Sequence, residues 1–131
     1  MPQLQTLILN DRETTPVAHT FVPRSIKGDV GMVVNTTGVP VGEKRFTLSL
    51  VRNQTRIKCR LTLVVPVVVT ETVNGVSTPK VVRENIVDAT FSFSVFSTEQ
   101  ERKNLVGMFM NSLDPSKVLV NDTLVKTEGV Y

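Results

Sequence analysis

The chain has 131 residues, 40% of them hydrophobic and 21% charged, which fits one globular domain with a modest core and excludes a disordered tail. A single cysteine, Cys59, excludes an internal disulfide, and with the single histidine, His19, it is too small a set for a zinc site or a Cys/His nucleophile. The net charge is only +3, yet Lys44, Arg45, Arg52, Arg56, Lys58 and Arg60 fall in a stretch, Lys44 to Thr70, that holds no Asp or Glu. Positive charge concentrated in one segment points to an anionic partner.

The N-terminal MPQLQTLILNDRETT lacks the basic start, apolar run and small-residue cleavage site of a signal peptide, so a reducing cytoplasm is expected. The longest apolar run, LVVPVVV (63–69), contains a proline and falls far short of the roughly 20 residues of a membrane helix, so no membrane role is expected. Sequons at Asn35, Asn53 and Asn121 are then chance matches in a Thr-rich chain.

In chain order, TLIL (6–9) and HTFV (19–22) read as strands separated by the turn-rich NDRETTP, and VGMVV (30–34) leads into NTTGVPVGE, which has the punctuation of a loop. RFTLSL (45–50) alternates, with Phe46, Leu48 and Leu50 on one face and Arg45, Thr47 and Ser49 on the other. In 57–63, Ile57, Cys59, Leu61 and Leu63 join the apolar face while Lys58, Arg60 and Thr62 share the polar one, and RNQT between the two runs suits a hairpin loop. VVVTETVNGVSTPKVV reads as a strand, a long loop from Thr70 to Lys80 containing Asn74, Gly75 and Pro79, and a return strand. IVDATFSFSVF (86–96) alternates again, with Val87, Ala89, Phe91, Phe93 and Val95 opposite Asp88, Thr90, Ser92 and Ser94.

Helix follows. Ser97 reads as an N-cap with Gln100 completing a capping box, and Glu99 and Glu101 suit the positive end of the helix dipole better than an acid/base pair. Leu105, Met108, Phe109 and Leu113 recur at helical spacing; Asp114-Pro115-Ser116 then ends this helix and starts a shorter one over 115–123. The expectation is a single α+β domain over 1–131 whose helices cover one sheet face and leave the polar face open. One chain has too little helix to cover that face and an unpaired edge strand besides, so a symmetric dimer sharing its helices is expected. No phosphate-cradling Gly motif or convergent carboxylate pair appears, so no catalytic residue, metal or cofactor is expected. On the residues alone the basic strip has two readings, a ligand-binding face or a solvated one.

RFTLSL, LVVPVVVTETVNGVSTP, STEQERKNLVGM, the terminal GVY and HTFVPR near the N-terminus together resemble the coat proteins of the small single-stranded RNA bacteriophages, the leviviruses. The resemblance covers nearly the whole chain. It implies an N-terminal β-hairpin, a five-stranded antiparallel sheet and two C-terminal helices that interlock with a partner in a homodimer. Such dimers form a quasi-equivalent icosahedral shell around the viral genomic RNA, in the virion and, during assembly, in the bacterial host cytoplasm. A second implied role is translational repression by binding an RNA stem-loop of the replicase gene.

By resemblance, unpaired adenines enter pockets lined by Val30, Thr47, Ser49, Arg60 and Thr62, while Arg45, Arg56 and Lys58 hold phosphates, with Arg52 a neighbouring loop candidate. Small hydroxyl residues and cations suit that task. The chain departs from the family's pattern in having Arg60 and Thr62 where Thr and Lys are usual, Ile86 for the stacking Tyr and Asp88 for its Asn companion. The resemblance also makes Thr70–Lys80 an assembly loop in which Asn74, Gly75 and Pro79 matter, Gly75 for backbone freedom and Pro79 for a cheap cis/trans choice. Leu105, Met108 and Phe109 become dimer core. A non-assembling, cytoplasmic, dimeric RNA-binding module is the alternative.

Overall fold

The computed structural model describes residues 2–36 and 42–131. They form two compact units that divide between Ser92 and Phe93. The first carries an antiparallel sheet in the order β1-β2-β3-β4-β5-β6, with β1 at Leu7–Asn10, β2 at Ala18–Lys27, β3 at Val30–Asn35, β4 at Lys44–Arg52, β5 at Arg56–Val73 and β6 at Val76–Ser94. The second carries α1, Glu99–Ser112, and α2, Val118–Val125.

β1 and β2 make the expected N-terminal hairpin, pairing Leu7 with Phe21 and Asn10 with Ala18. Its connection is organised by Asp11, whose carboxylate accepts the Val17 N–H at 2.9 Å and the Glu13 N–H at 3.2 Å and meets His19 Nε2 at 2.8 Å. His19, beside the turn, thus helps to close the loop through Asp11. The β2–β3 register shifts between Pro23 and Ser25, where proline has no N–H to give the ladder. The loop expected over 35–43 falls in part on 37–41, outside the described residues.

The strands are six rather than a hairpin plus five. The separate strand expected at VVVT is the continuation of β5. Pro66 does not break it, because β4 pairs with β5 only as far as Val64, so the missing N–H interrupts no β4 ladder bond. The long loop expected over Thr70–Lys80 is likewise corrected. Ladder structure runs to Val73 and resumes at Val76, leaving Asn74 and Gly75 as a two-residue turn with φ of 52° and 79°. Two successive positive φ angles suit the right-handed twist of the flanking strands, which is why the hairpin closes tightly. Pro79 lies within β6, at the end of the sheet order, and its peptide bond is trans.

Helix α1 begins one residue later than expected. Thr98 is the N-cap, its Oγ1 accepting the Glu101 N–H at 3.2 Å while Glu101 Oε2 accepts the Thr98 N–H at 2.9 Å. Ser97 is occupied elsewhere, donating from Oγ to Ser94 O at 2.6 Å and accepting from Arg102 Nη1. α2 also starts later than expected, because Asp114 spends a turn first: its Oδ1 accepts the Ser116 N–H and its carbonyl the Lys117 N–H, both at 2.9 Å.

Among the described residues the buried hydrophobic side chains are Phe21, Val33 and Val34. The face carrying Leu48 and Leu50 is left 41% and 47% exposed at those residues, and neither helix has a buried residue. Leu105, Met108 and Phe109 are between 42% and 67% exposed.

Two predictions follow from these turns. The hydrogen bond from the Val17 N–H, with that from His19, holds the Asp11 carboxyl at about 2, below its ordinary 3.8. A depressed carboxyl stabilises the fold fully above its unfolded value and loses that contribution as pH falls through the folded one. The β1–β2 hairpin should therefore weaken between about pH 4 and 2, with Asp11→Asn removing this part of the acid dependence; a carboxyl NMR titration of Asp11 with an ordinary midpoint would contradict it. Nothing lies within 4 Å of a Cβ built on Gly75, so Gly75→Ala should destabilise through backbone strain alone, by about 1 to 2 kcal/mol in chemical denaturation.

Candidate nucleic-acid interface

The site starts from one tight turn. Between β4 and β5, Asn53 Oδ1 accepts the N–H groups of Thr55 at 3.0 Å and Arg56 at 2.7 Å, and the Asn53 N–H donates to Arg56 O at 3.0 Å. The ladder that leaves this turn pairs Val51 with Lys58, Ser49 with Arg60, Thr47 with Thr62 and Arg45 with Val64. Directly opposed residues share a face, so Arg45, Thr47 and Ser49 of β4 join Lys58, Arg60 and Thr62 of β5 on one surface. β3 extends it, with Val30 opposite Ser49 and Met32 opposite Thr47. Val30, Ser49 and Arg60 thus form one row across three strands, and Met32, Thr47 and Thr62 the next. Met32 went unanticipated because VGMVV is apolar throughout and shows no alternation.

β6 adds the outer border. Arg60 forks onto Asp88, Nε donating to Oδ1 at 2.9 Å and Nη2 to Oδ2. Arg56 reaches Ser92, with Nε 3.0 Å from Oγ and Nη2 3.1 Å from the carbonyl oxygen. Ile86, two residues before Asp88 and therefore on the same face, is 60% exposed. The Arg60 hydrogen bonds lower the Asp88 pKa, and the same bonds raise that of Arg60.

This redistributes the charge that the sequence displays. Arg60 is matched by Asp88, and Arg24 forks onto Glu43 at 2.6 and 2.9 Å, lowering the Glu43 pKa. Arg45 and Lys58 form no ion pair among the described residues. Arg52 is a correction: it ends β4 opposite Ile57, which puts it on the face of Leu48 and Leu50 and away from the basic strip. Cys59 lies on that apolar face too, opposite Leu50. Among the described residues no cluster of His, Cys, Asp and Glu could hold a metal ion, and no helix is long and apolar enough to cross a membrane.

Residues 2–131 match the family model described as levivirus coat protein. Over 130 residues the chain is 53% identical to the capsid protein of Pseudomonas phage PRR1, spanning 98% of this chain and 99% of that one. The chain belongs to the levivirus coat protein family. Its identity to the capsid protein of Escherichia virus Qbeta is 34% over 101 residues, covering 75% of this coat protein and 67% of the relative. The fold is that of the virus-like particle subunit of bacteriophage ESE058, with a TM-score of 0.86 at 24% identity over 99% of this chain and 100% of the other. The bacteriophage GA capsid protein matches with a TM-score of 0.83 at 20% identity, covering 98% of each chain.

Proposed function

We propose that this coat protein forms a homodimer, assembles into an icosahedral shell around single-stranded viral RNA, and represses translation by binding a stem-loop of the replicase gene. The observation that carries the RNA reading is the polar sheet face, where Arg45 and Lys58 form no ion pair among the described residues and stand beside the hydroxyls of Thr47, Ser49 and Thr62. Unneutralised cations release counterions on meeting phosphate, and small hydroxyl residues leave room for an unstacked base while offering it hydrogen bonds. Arg45, Lys58 and Arg56 take the phosphates, while Val30, Thr47, Ser49 and Thr62 line the base pockets. Arg52, on the opposite face, is left out. Ile86 offers no π-face for a loop base, so the stem-loop this protein prefers depends less on that base than one read by an aromatic side chain.

The exposed Leu105, Met108 and Phe109 support the dimer. A solitary chain would leave Leu105 and Met108 largely in water, and a second copy buries them without a foreign partner. The hairpin tip at Asn74 and Gly75, with Pro79 beside it, is the proposed contact between dimers in the shell. The role is structural and regulatory rather than enzymatic, and its place is the virion and the cytoplasm of the host during assembly.

Three measurements test this. Neutralising Arg45 or Lys58 should each reduce the salt slope of stem-loop binding by roughly one unit; an unchanged slope in both variants removes this face from the RNA site. Electron microscopy of the purified protein should show uniform shells, whereas stable dimers at every concentration with RNA would favour a non-assembling RNA-binding module. Leu105→Asp and Phe109→Asp should each abolish soluble dimer, since an unpaired buried charge costs about 3 to 5 kcal/mol; normal dimers from both would contradict the shared helix core.

A further inference from the structure

We propose that Asn74 is a modification site, which deamidates spontaneously to aspartate and isoaspartate at a rate that closure of the β5–β6 turn holds down. Among the asparagines of the chain it alone precedes a glycine, and glycine places no side chain in the way of attack by its own nitrogen. Asn74 and Gly75 are both exposed, and nothing lies within 4 Å of a Cβ built on Gly75. Neither the Asn74 side-chain amide nor the Gly75 N–H has a hydrogen-bond partner among the described residues. Other asparagines commit their amides to the fold: Asn35 Nδ2 donates to Thr20 O at 2.8 Å, and Asn53 Oδ1 accepts the N–H groups that shape the turn before β5. At Asn74 the reactive dipeptide, open surroundings and unengaged groups coincide.

Water is the only co-reactant. The Gly75 nitrogen gives up its proton to solvent and bonds to Asn74 Cγ, the Cγ–Nδ2 bond breaks, and ammonia leaves behind a succinimide ring. Water then opens the ring at either carbonyl, giving aspartate, or isoaspartate with the backbone routed through Cβ. The closed turn opposes the first step. Its φ angles of 52° and 79° are those of a mirror-image type I turn, in which ψ of the first residue is about 30°. That angle sets the Gly75 nitrogen nearly anti to the Asn74 Cβ across the Cα–C bond, whereas ring closure needs the two nearly eclipsed. Attack therefore waits for the turn to open. Beyond its ladder the tip is held by little: the Thr72 and Ser77 hydroxyls meet at 3.2 Å, Lys80 Nζ stands 3.8 Å from Glu71, and Val73 and Val76 are exposed. Opening is thus local and costs less than unfolding. The product places a carboxylate on a tip that carries no charge from Val73 to Val76, and isoaspartate adds a backbone atom that a two-residue turn cannot host. The consequence for assembly rests on the proposed meeting of tips between dimers, where like charges exclude converted subunits from shells.

The test incubates the full chain in its unassembled form at mildly alkaline pH, with and without urea, and follows each asparagine by peptide mass spectrometry and isoaspartate methyltransferase labelling. Asn74 should convert ahead of every other asparagine, and about ten-fold or more slowly in the native chain than in the unfolded one, as gating by a local opening requires. Asn74→Gln, whose larger ring closes far more slowly, should remove the isoaspartate label from the native chain. Absence of native conversion at Asn74, another asparagine converting first, or a native rate equal to that in urea would each overturn the proposal. Asn74→Asp separates it from the shell reading, because this variant carries the charge of the product from the start. It should form dimers as the wild type does and fewer shells. Where native Asn74 converts but Asn74→Asp assembles like the wild type, the modification site stands and the tip contact falls. Where Asn74→Asp fails to assemble while native Asn74 stays intact, the tip contact stands and the modification site falls.

Discussion

The two-residue alternation of β4 and β5, locked in register by the Asn53 turn, is the constraint on which the rest depends. Side chains in a strand point to opposite faces in turn, so a slip of one residue would move Arg45, Lys58 and Arg60 to the side of Leu48 and Leu50 and send the leucines to the polar side. Asn53 prevents this locally. Its side-chain oxygen takes up two N–H groups on the far side of the turn, which fixes the loop at three residues and hence the pairing of Val51 with Lys58 and all that follows along the ladder. One asparagine thereby sets which chemistry each face of the hairpin presents.

Register also decides how much of the basic strip acts as charge. In the sequence six cations look equivalent, because nothing acidic lies between Lys44 and Thr70. In the sheet they are not. Asp88 comes from a strand well outside that stretch and matches Arg60, Arg56 is engaged by the uncharged Ser92, and Arg52 belongs to the other face. What stands on the polar face without an ion pair among the described residues is narrower than the composition suggests, namely Arg45, Arg56 and Lys58. A narrow cationic region flanked by hydroxyls and one neutralised guanidinium is better suited to orienting a structured ligand than to coating any polyanion, since unspecific attraction scales with the number of unmatched charges.

The faces were legible in the sequence because period two survives any uncertainty about strand ends, and RFTLSL and IKCRLTL carry it cleanly. The order of strands and the two helices were legible for a similar reason, with Gly, Pro and capping residues punctuating long periodic runs. Cross-strand partners were not. Asp88 could be placed on the polar face of its strand, but which residue it meets depends on how β5 and β6 are joined, and an open loop over 70–80 leaves that free. The signal that would have closed the loop was present in Asn74-Gly75, the dipeptide that takes two positive φ angles most cheaply. The shift of the helix cap from Ser97 to Thr98 has a comparable origin: two adjacent hydroxyl residues compete, and the winner is set by Ser94 and Arg102, which engage Ser97 from outside the capping pattern.

Three hydrophobic side chains are fully withdrawn from water among the described residues, all on β2 and β3, which is a small core for a chain whose composition is that of an ordinary globular domain. The remaining apolar surface, on the face of Leu48 and Leu50 and along α1, is what a folded subunit offers to association. In the proposed dimer that surface supplies most of the hydrophobic free energy, so folding and pairing become a single concentration-dependent equilibrium rather than successive steps. In that dimer the polar face takes no part in the burial and is free to keep unmatched charges and half-buried hydroxyls. On the proposed reading, a separation of stabilising and recognising functions onto opposite sides of one sheet would let residues such as Arg60, Ile86 and Asp88 change without loosening the contacts that hold the subunits together.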